Sequence, residues 1–355
     1  MHCGERIRAA RKMAGLSQQS LAERIPVTKQ SISKYEREKA MPGSEVLLAI
    51  SRALEVPVDF FLRQKAMPAL REPCYRAHHT KLRKKDLDSI EQTVRGWLER
   101  YLELEEFVPT SCQRPFARPC RVPKRITAMS DAEEAAEALR CEWKLGEDPI
   151  ESMVEMLEDR GVKVMDLDGP EGFDGLAFWA DESIPVIVYS ARMPGDRQRF
   201  SMAHELAHLL LEPADGVDPE KLAHRFAGAF LFPRERVFAE IGNERRTLAM
   251  RELQILKQKY GISMQAIVFR ARDLDIISEH GRRTLFRSFS ARGWRKKEPK
   301  PDVPQEKPVR LEQMAAMVLA EEALSKSRVA ELVGRELHQP MIVSGAEDDI
   351  TARSG

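Results

Sequence analysis

The sequence predicts a mainly α protein with a small β-sheet, an α+β chain of more than one domain. Three observations carry this. Apolar residues from Ile7 to Leu62 recur at helical spacing in short runs separated by turn signals. Three short runs, Lys163–Leu167, Leu176–Trp179 and Pro185–Tyr189, read as strands with turns between them. The 355 residues exceed the ~100–200 of a typical single domain.

Composition narrows the class. With 43% hydrophobic and 32% charged residues and a net charge of +1, the chain as a whole gives no reason to expect nucleic acid or a membrane. Any basic surface must be local. The segment Met1–Arg6 passes straight into a charged helical pattern without the apolar run of a secretory signal. No stretch approaches the ~18 apolar residues of a membrane span, so a cytoplasmic location is expected. Five scattered cysteines without CxxC spacing suit a reducing compartment and are assigned no chemistry.

Taken in order, residues 1–65 read as four or five short helices. Ser17, Thr28 and Ser44 stand where a hydroxyl would cap a first turn. A basic stretch, Arg76–Lys85, leads to an amphipathic segment, Leu87–Glu105, with Ile90, Val94, Trp97, Leu98 and Leu102 on one stripe. It reads either as a dimer seam or as a bracing helix within one chain. Pro109, Pro115, Pro119 and Pro123 mark a linker, so 66–128 is expected to connect two domains. Residues 129–280 then form the second domain, with helices at Asp131–Trp143 and Ile150–Arg160 before the strands and further helices over Lys221–Ile241 and Thr247–Asp273. A basic, helical extension, 281–355, follows and contains a Pro/Lys-rich tract, Lys296–Pro308.

The first domain has the pattern of a helix-turn-helix, in which one helix braces across the DNA backbone and the next presents its first residues to base edges. Gln18–Arg24 would brace and Lys29–Arg37 would read. Up to Lys65 there are twelve basic side chains against seven acidic ones, a local surplus suited to phosphates, and Gln30 and Ser31 have the reach for base hydrogen bonds. The runs Leu16–Arg24 and Thr28–Arg37 resemble the Xre/Cro family of repressor-like domains over about the first sixty residues, with Pro26 where that family usually has Gly. The resemblance implies a five-helix domain that binds a double-stranded operator, with Gln18, Lys29, Gln30, Ser31 and Lys34 as contacts. A homodimer reading two half-sites is the expected assembly.

The second domain carries His204-Glu205-Leu206-Ala207-His208. Two histidines four apart project from one helical face and can share a metal ion through neutral imidazoles, with Glu205 beside the open position. Zinc so held would lower the pKa of its water to about 7, and Glu205 would take the proton as a carbonyl is attacked. A chance HExxH occurs in about one chain in a hundred of this size. Here the flanking Phe200–Ala203 and Leu209–Leu211 supply the apolar helix that such a site needs. The third ligand lies among Glu212, Asp215, Asp218, Glu220 and His224. Glu212 is too close to loop back easily, whereas Glu220 opens the next helical pattern.

The run Gly195–His208 with the helix Glu220–Pro233 resembles the ImmA/IrrE metallopeptidase family, over roughly Ala132–Ser278 and including Phe173-Asp174-Gly175 and Tyr260–Ser263. That resemblance implies a zincin-like HExxH domain with zinc on His204, His208 and Glu220 and with Glu205 as catalytic base. His224 stands where the family commonly has Asn, as a packing residue, an accessory ligand or a hydrogen-bond donor. By the same resemblance the chain is a DNA-binding regulator whose zinc site cleaves a partner regulator or the chain itself. The alternative is a non-enzymatic, antitoxin-like autorepressor whose metal domain senses a ligand or partner.

Overall fold

The structure is a computed structural model that describes residues 3–63, 68–70 and 82–334. Expectations that fall on Lys65, on most of Arg76–Lys85 and on the far C-terminal end lie outside the described residues. The chain divides into two compact units, Met1–Glu99 with Arg114–Val309, and Arg100–Gln113 with Arg310–Gly355. The fold is mainly α with small sheets, as the sequence predicts.

The first unit opens with five helices: α1 (Cys3–Met13), α2 (Gln18–Ala22), α3 (Lys29–Glu36), α4 (Ser44–Leu54) and α5 (Val58–Leu62). Ile7, Leu21, Ile32, Ile50 and Phe61 form their shared core. Ser17 and Thr28 cap α2 and α3 by accepting the amides of Ser20 and Ser31. At α4 the cap falls one residue early: extended Gly43 takes that position, with no side-chain bond, and Ser44 is already helical. Helix α6 (Lys84–Glu105) braces α1, because buried Arg6 donates to Glu99 at 3.0 and 2.5 Å and Ser89 donates to the Met13 carbonyl at 2.9 Å. Ile90, Val94 and Leu98 are thereby buried inside the chain. Of the two expectations for this stripe, these residues serve the bracing one.

The Pro-rich segment after α6 is a packed strand of chain rather than a free spacer. Proline lacks the amide for a ladder, so side chains hold it. Arg118 donates to the Leu210 carbonyl at 2.5 Å, and the Cys120 and Arg121 amides bond Glu142 at 2.9 and 2.8 Å. Its end, β1 (Arg125–Ile126), anticipates a parallel pairing with a later two-residue strand.

Helices α7 (Asp131–Glu142) and α8 (Met153–Asp159) precede β2 (Lys163–Leu167), β3 (Gly175–Ala180) and β4 (Ile184–Ser190). The sheet order is β2-β4-β3, with β2 parallel and β3 antiparallel to β4. Helix α9 (Gly195–Leu210) lies against β3 and β4, and its Met202, Ala203 and Leu206 are buried in the shared core. Strand β5 (Glu212–Pro213), the partner of β1, leads to α10 (Pro219–Leu231), which packs on α9 and α7. Pro233 separates α10 from α11 (Arg234–Ile241). Left-handed Gly261 separates α12 (Met250–Tyr260) from α13 (Met264–Asp273). A Cβ there would lie 2.5 Å from the Arg199 side chain. Helix α14 (Glu279–Ala291) follows.

The Pro/Lys-rich tract then straps the unit. Glu298 accepts the Met264 and Gln265 amides and the Lys257 ammonium, and Glu306 accepts the Val154 amide and pairs with Arg199. In the second unit, α15 (Arg310–Ala320) and α16 (Lys326–Val333) bury Met314, Val318, Val329 and Leu332. Arg328 pairs with Glu103 there. Among the described residues no helix is long and apolar enough to cross a membrane.

Candidate metal centre and DNA-reading helix

Helix α9 presents His204 and His208 on one face, one turn apart. Their partner arrives by local chemistry. Asp218 accepts the amides of Glu220 and Lys221 at 3.0 and 3.2 Å, and Pro219 occupies the first helical position, where its missing N–H costs nothing. This start fixes Glu220 in the first turn of α10, and the packing of α10 on α9 aims its carboxylate at the histidines. Nε2 of His204 lies 3.1 Å from Nε2 of His208 and 3.2 Å from Oε2 of Glu220, while His208 Nε2 lies 3.5 Å from Oε1.

These separations test the metal reading. Ligands on a tetrahedral ion with bonds of ~2.0–2.1 Å are about 3.4 Å apart. The three distances scatter around that edge length. Two imidazole nitrogens and a carboxylate crowded onto one point repel unless a proton or cation lies between them, so the donor set fits a divalent ion. Among the described residues the metal-competent group is His204, His208 and Glu220. His224 is not in it: its ring packs 4.6 Å from the His204 ring and 5.6 Å from Phe200. Glu212 pairs with Lys124 at 3.0 Å on the surface, Asp215 is exposed, and Asp218 is spent as a cap.

Electrostatics distinguish the groups. Burial pushes the His204 imidazole down to about 4, against the pull of Glu220. For His208, burial is the largest influence and opposes the charged form, but its hydrogen bond to Glu220 and the charges of Glu205 and Glu220 together outweigh this and raise the pKa. Burial would raise Glu220, yet the two imidazoles hold it well below the carboxylate range. Glu205, 8% exposed, is pushed up to about 7 by burial, helped by the charges of Glu220 and Asp174 and opposed by His208. A carboxyl near neutrality can both take and return a proton.

Periodicity could not have found the cover over Glu205. Gly175 opens β3 against it, so that a Cβ there would meet the Val188 carbonyl at 3.1 Å and Glu205 Cγ and Oε1 at 3.4 Å. The preceding Asp174 accepts from Arg197 at 2.7 Å.

On α3, Lys29, Gln30 and Lys34 are exposed. Ser31 is half-buried, its hydroxyl 3.0 Å from that of Thr28. Gln18 donates to Glu36 at 2.7 Å, and Glu36 also accepts from Arg11 at 2.5 and 3.0 Å, which ties α1, α2 and α3 together. Of the five candidates, three are exposed on α3 and two are engaged in bonds within the domain.

Fold and site together define a helix-turn-helix domain joined to a peptidase-type domain. Residues 7–61 match the helix-turn-helix family, and residues 157–272 match a peptidase family described as the IrrE N-terminal-like domain. Curated transcriptional regulators are similar to this chain over stretches of about sixty residues. An uncharacterized HTH-type transcriptional regulator of Sinorhizobium medicae (strain WSM419) is 46% identical over 61 residues, 17% of this chain and 44% of that protein. Repressor protein C2 of Salmonella phage P22 is 42% identical over 60 residues, 17% of this chain and 28% of the phage protein. The HTH-type transcriptional regulator ImmR of Bacillus subtilis (strain 168) is 34% identical over 62 residues, 18% of this chain and 49% of that protein. The match thus spans about half or less of these relatives' own length.

Proposed function

We propose that the chain is a transcriptional regulator that binds an operator through α3 and acts as a zinc-dependent endopeptidase on a partner regulator or on itself. The observation that supports this most is the convergence of His204, His208 and Glu220 at tetrahedral edge distances beside a carboxyl poised near neutrality. Zinc, when bound there, supplies Lewis acidity toward water and the scissile carbonyl. The two imidazoles and Glu220 hold it, and Glu205 takes the proton of the attacking water and returns it to the leaving amine. Lys29, Gln30 and Lys34 face DNA, and a homodimer would present two such helices to paired half-sites. The match of the amino-terminal region to a phage repressor and to transcriptional regulators supports the DNA half of the reading.

The test compares newly formed protein termini by mass spectrometry in native cells expressing the wild type or Glu205→Gln. This substitution removes the base and spares the ligands. A cut present only with Glu205 supports the peptidase and identifies its substrate. Identical termini under all inducing conditions, with metal bound and the operator occupied, would leave the sensor reading in its place.

A further inference from the structure

A second basic feature lies far along the chain from the reading helix. From Glu279 to Lys300 there are eight Lys and Arg residues against two Glu, in a chain whose net charge is only +1. Glu298 is not part of the balance at the surface, since it is spent on Lys257 and the start of α13. The remaining Glu279 bonds Arg282 and Arg283 at 2.6 to 2.9 Å from the first turn of α14. Arg287 and Arg295 make no ion pair with another described residue, and Arg283, Arg287 and Arg295 are all exposed.

These side chains are organised rather than scattered. Arg282, Arg283, Arg287 and Arg295, with Phe269 and Phe286, line a concave cleft of about 450 Å³ that no carboxylate enters among its described lining residues. The two rings meet edge to face at 5.1 Å, and Phe269 remains 47% exposed. The Arg282 guanidinium sits 5.2 Å from the Phe269 ring and 5.5 Å from Phe286, and Arg295 sits 5.0 Å from Phe286. A cation over an aromatic face is held without being neutralised, as Arg295 is, whereas Arg282 is also bonded by Glu279. Part of the entropy that a flexible arginine loses on binding is therefore already spent. Guanidiniums kept charged, ordered and outward match phosphate oxygens, which they bind in pairs of parallel hydrogen bonds.

We propose that this α13–α14 cleft is a second nucleic-acid contact, which grips the phosphate backbone of duplex DNA while α3 reads the bases. Duplex DNA is favoured over an isolated phosphate because Lys296, Lys297 and Lys300 continue the charge beyond the cleft, as a repeating polyanion requires. The choice of DNA rests on the proposed DNA-binding reading of the amino-terminal domain and is independent of peptide cleavage.

The experiment is fluorescence anisotropy of the full chain on a 30-base-pair duplex of unrelated sequence, between 50 and 200 mM KCl. Arg283→Ala/Arg287→Ala/Arg295→Ala should weaken binding at least ~10-fold at the lower salt and flatten the log–log salt slope by about 3, at ~0.9 for each phosphate no longer neutralised. The charge-preserving variant with Lys at the same three positions should keep the slope, and equal melting temperatures confirm folding. In a Lys29→Ala/Gln30→Ala/Lys34→Ala background, residual salt-dependent binding should persist and vanish only when the three arginines are also replaced. Unchanged affinity and slope in the arginine variant overturns the proposal. So does full displacement of the duplex by 1 mM inorganic phosphate, which marks a small-anion site, or by poly-L-glutamate at equal charge, which marks an acidic protein partner. Loss of operator binding in the Lys29/Gln30/Lys34 variant alone tests the α3 reading separately.

Discussion

Glu205→Gln should stabilise the metal-free protein while removing its proposed base. The Glu205 carboxyl is nearly buried and pushed up to about 7, chiefly because burial disfavours its charged form. Unfolding returns it to the ordinary 4.5, so the folded state binds its proton more tightly than the unfolded state. A group with this sign contributes stability that is complete below the unfolded value and is lost as pH rises through the folded one. The gap amounts to about 3 kcal/mol at ~1.36 kcal/mol per pH unit, and solvent relaxation makes this a ceiling. Glutamine has the same shape and never ionises. At pH 8, after chelation, the variant should therefore melt above the wild type by up to ~6–12 °C, at roughly 2–4 °C per kcal/mol for a domain of this size. At pH 4.5 the two curves should meet. Calorimetry across pH 4.5–8 measures this. A variant that melts with or below the wild type at pH 8, or a difference that does not shrink on acidification, refutes the burial argument.

Two further outcomes test the frame around the site. Arg270 and Glu133 are each 2% exposed and form a bidentate pair beneath α10, with Arg270 Nε also bonding the Phe232 carbonyl at 2.9 Å. Glu133→Ala strands a buried guanidinium and should cost ~3–5 kcal/mol in chemical denaturation, whereas Glu133→Ala/Arg270→Met should recover most of it. Gly195→Ala would place a Cβ 1.9 Å from the Pro304 carbonyl oxygen, a backbone atom that cannot swing aside. The strap must lift, at ~1–3 kcal/mol for overpacking, and hydrogen exchange should report weaker protection at the Val154 amide that Glu306 now holds.

Much of this was legible in the sequence because the signals were local. Hydroxyl caps at Ser17 and Thr28, the His204/His208 spacing and the Asp218-Pro219-Glu220 start are decided within a few residues, and so is β2, which falls where its pattern places it. The pairing of Glu220 with the histidines needed a family resemblance as well, since five side chains downstream of the motif offered equivalent chemistry. Illegible were the features made by distant contacts. The Pro-rich stretches at 114–126 and 298–306 carry few periodic apolar residues and read as loose, yet single side chains pin them: Arg118, Glu142, Glu298 and Glu306. Nor does any pattern tell whether an apolar stripe such as that of α6 faces its own chain or a second copy. A buried pair 93 residues apart, Arg6 with Glu99, decides it.

Those distant contacts bear on the chemistry. The proposed ligands come from two helices, α9 and α10, and each helix is held by contacts that involve no ion. The first is held by Arg199 on Glu306 and by the β-sheet, the second by α7 and the Arg270–Glu133 pair. A site on rigid elements keeps its donors within reach of productive geometry, at the expense of crowding them. Folding here is driven by an apolar core running from Val122 to Phe289 rather than by metal binding, unlike small domains that are unfolded without zinc. Chelation should therefore leave the fold standing, with the cost of one buried carboxyl exposed to measurement. That separation of folding from metal binding makes the stability of the Glu205→Gln chain an interpretable quantity.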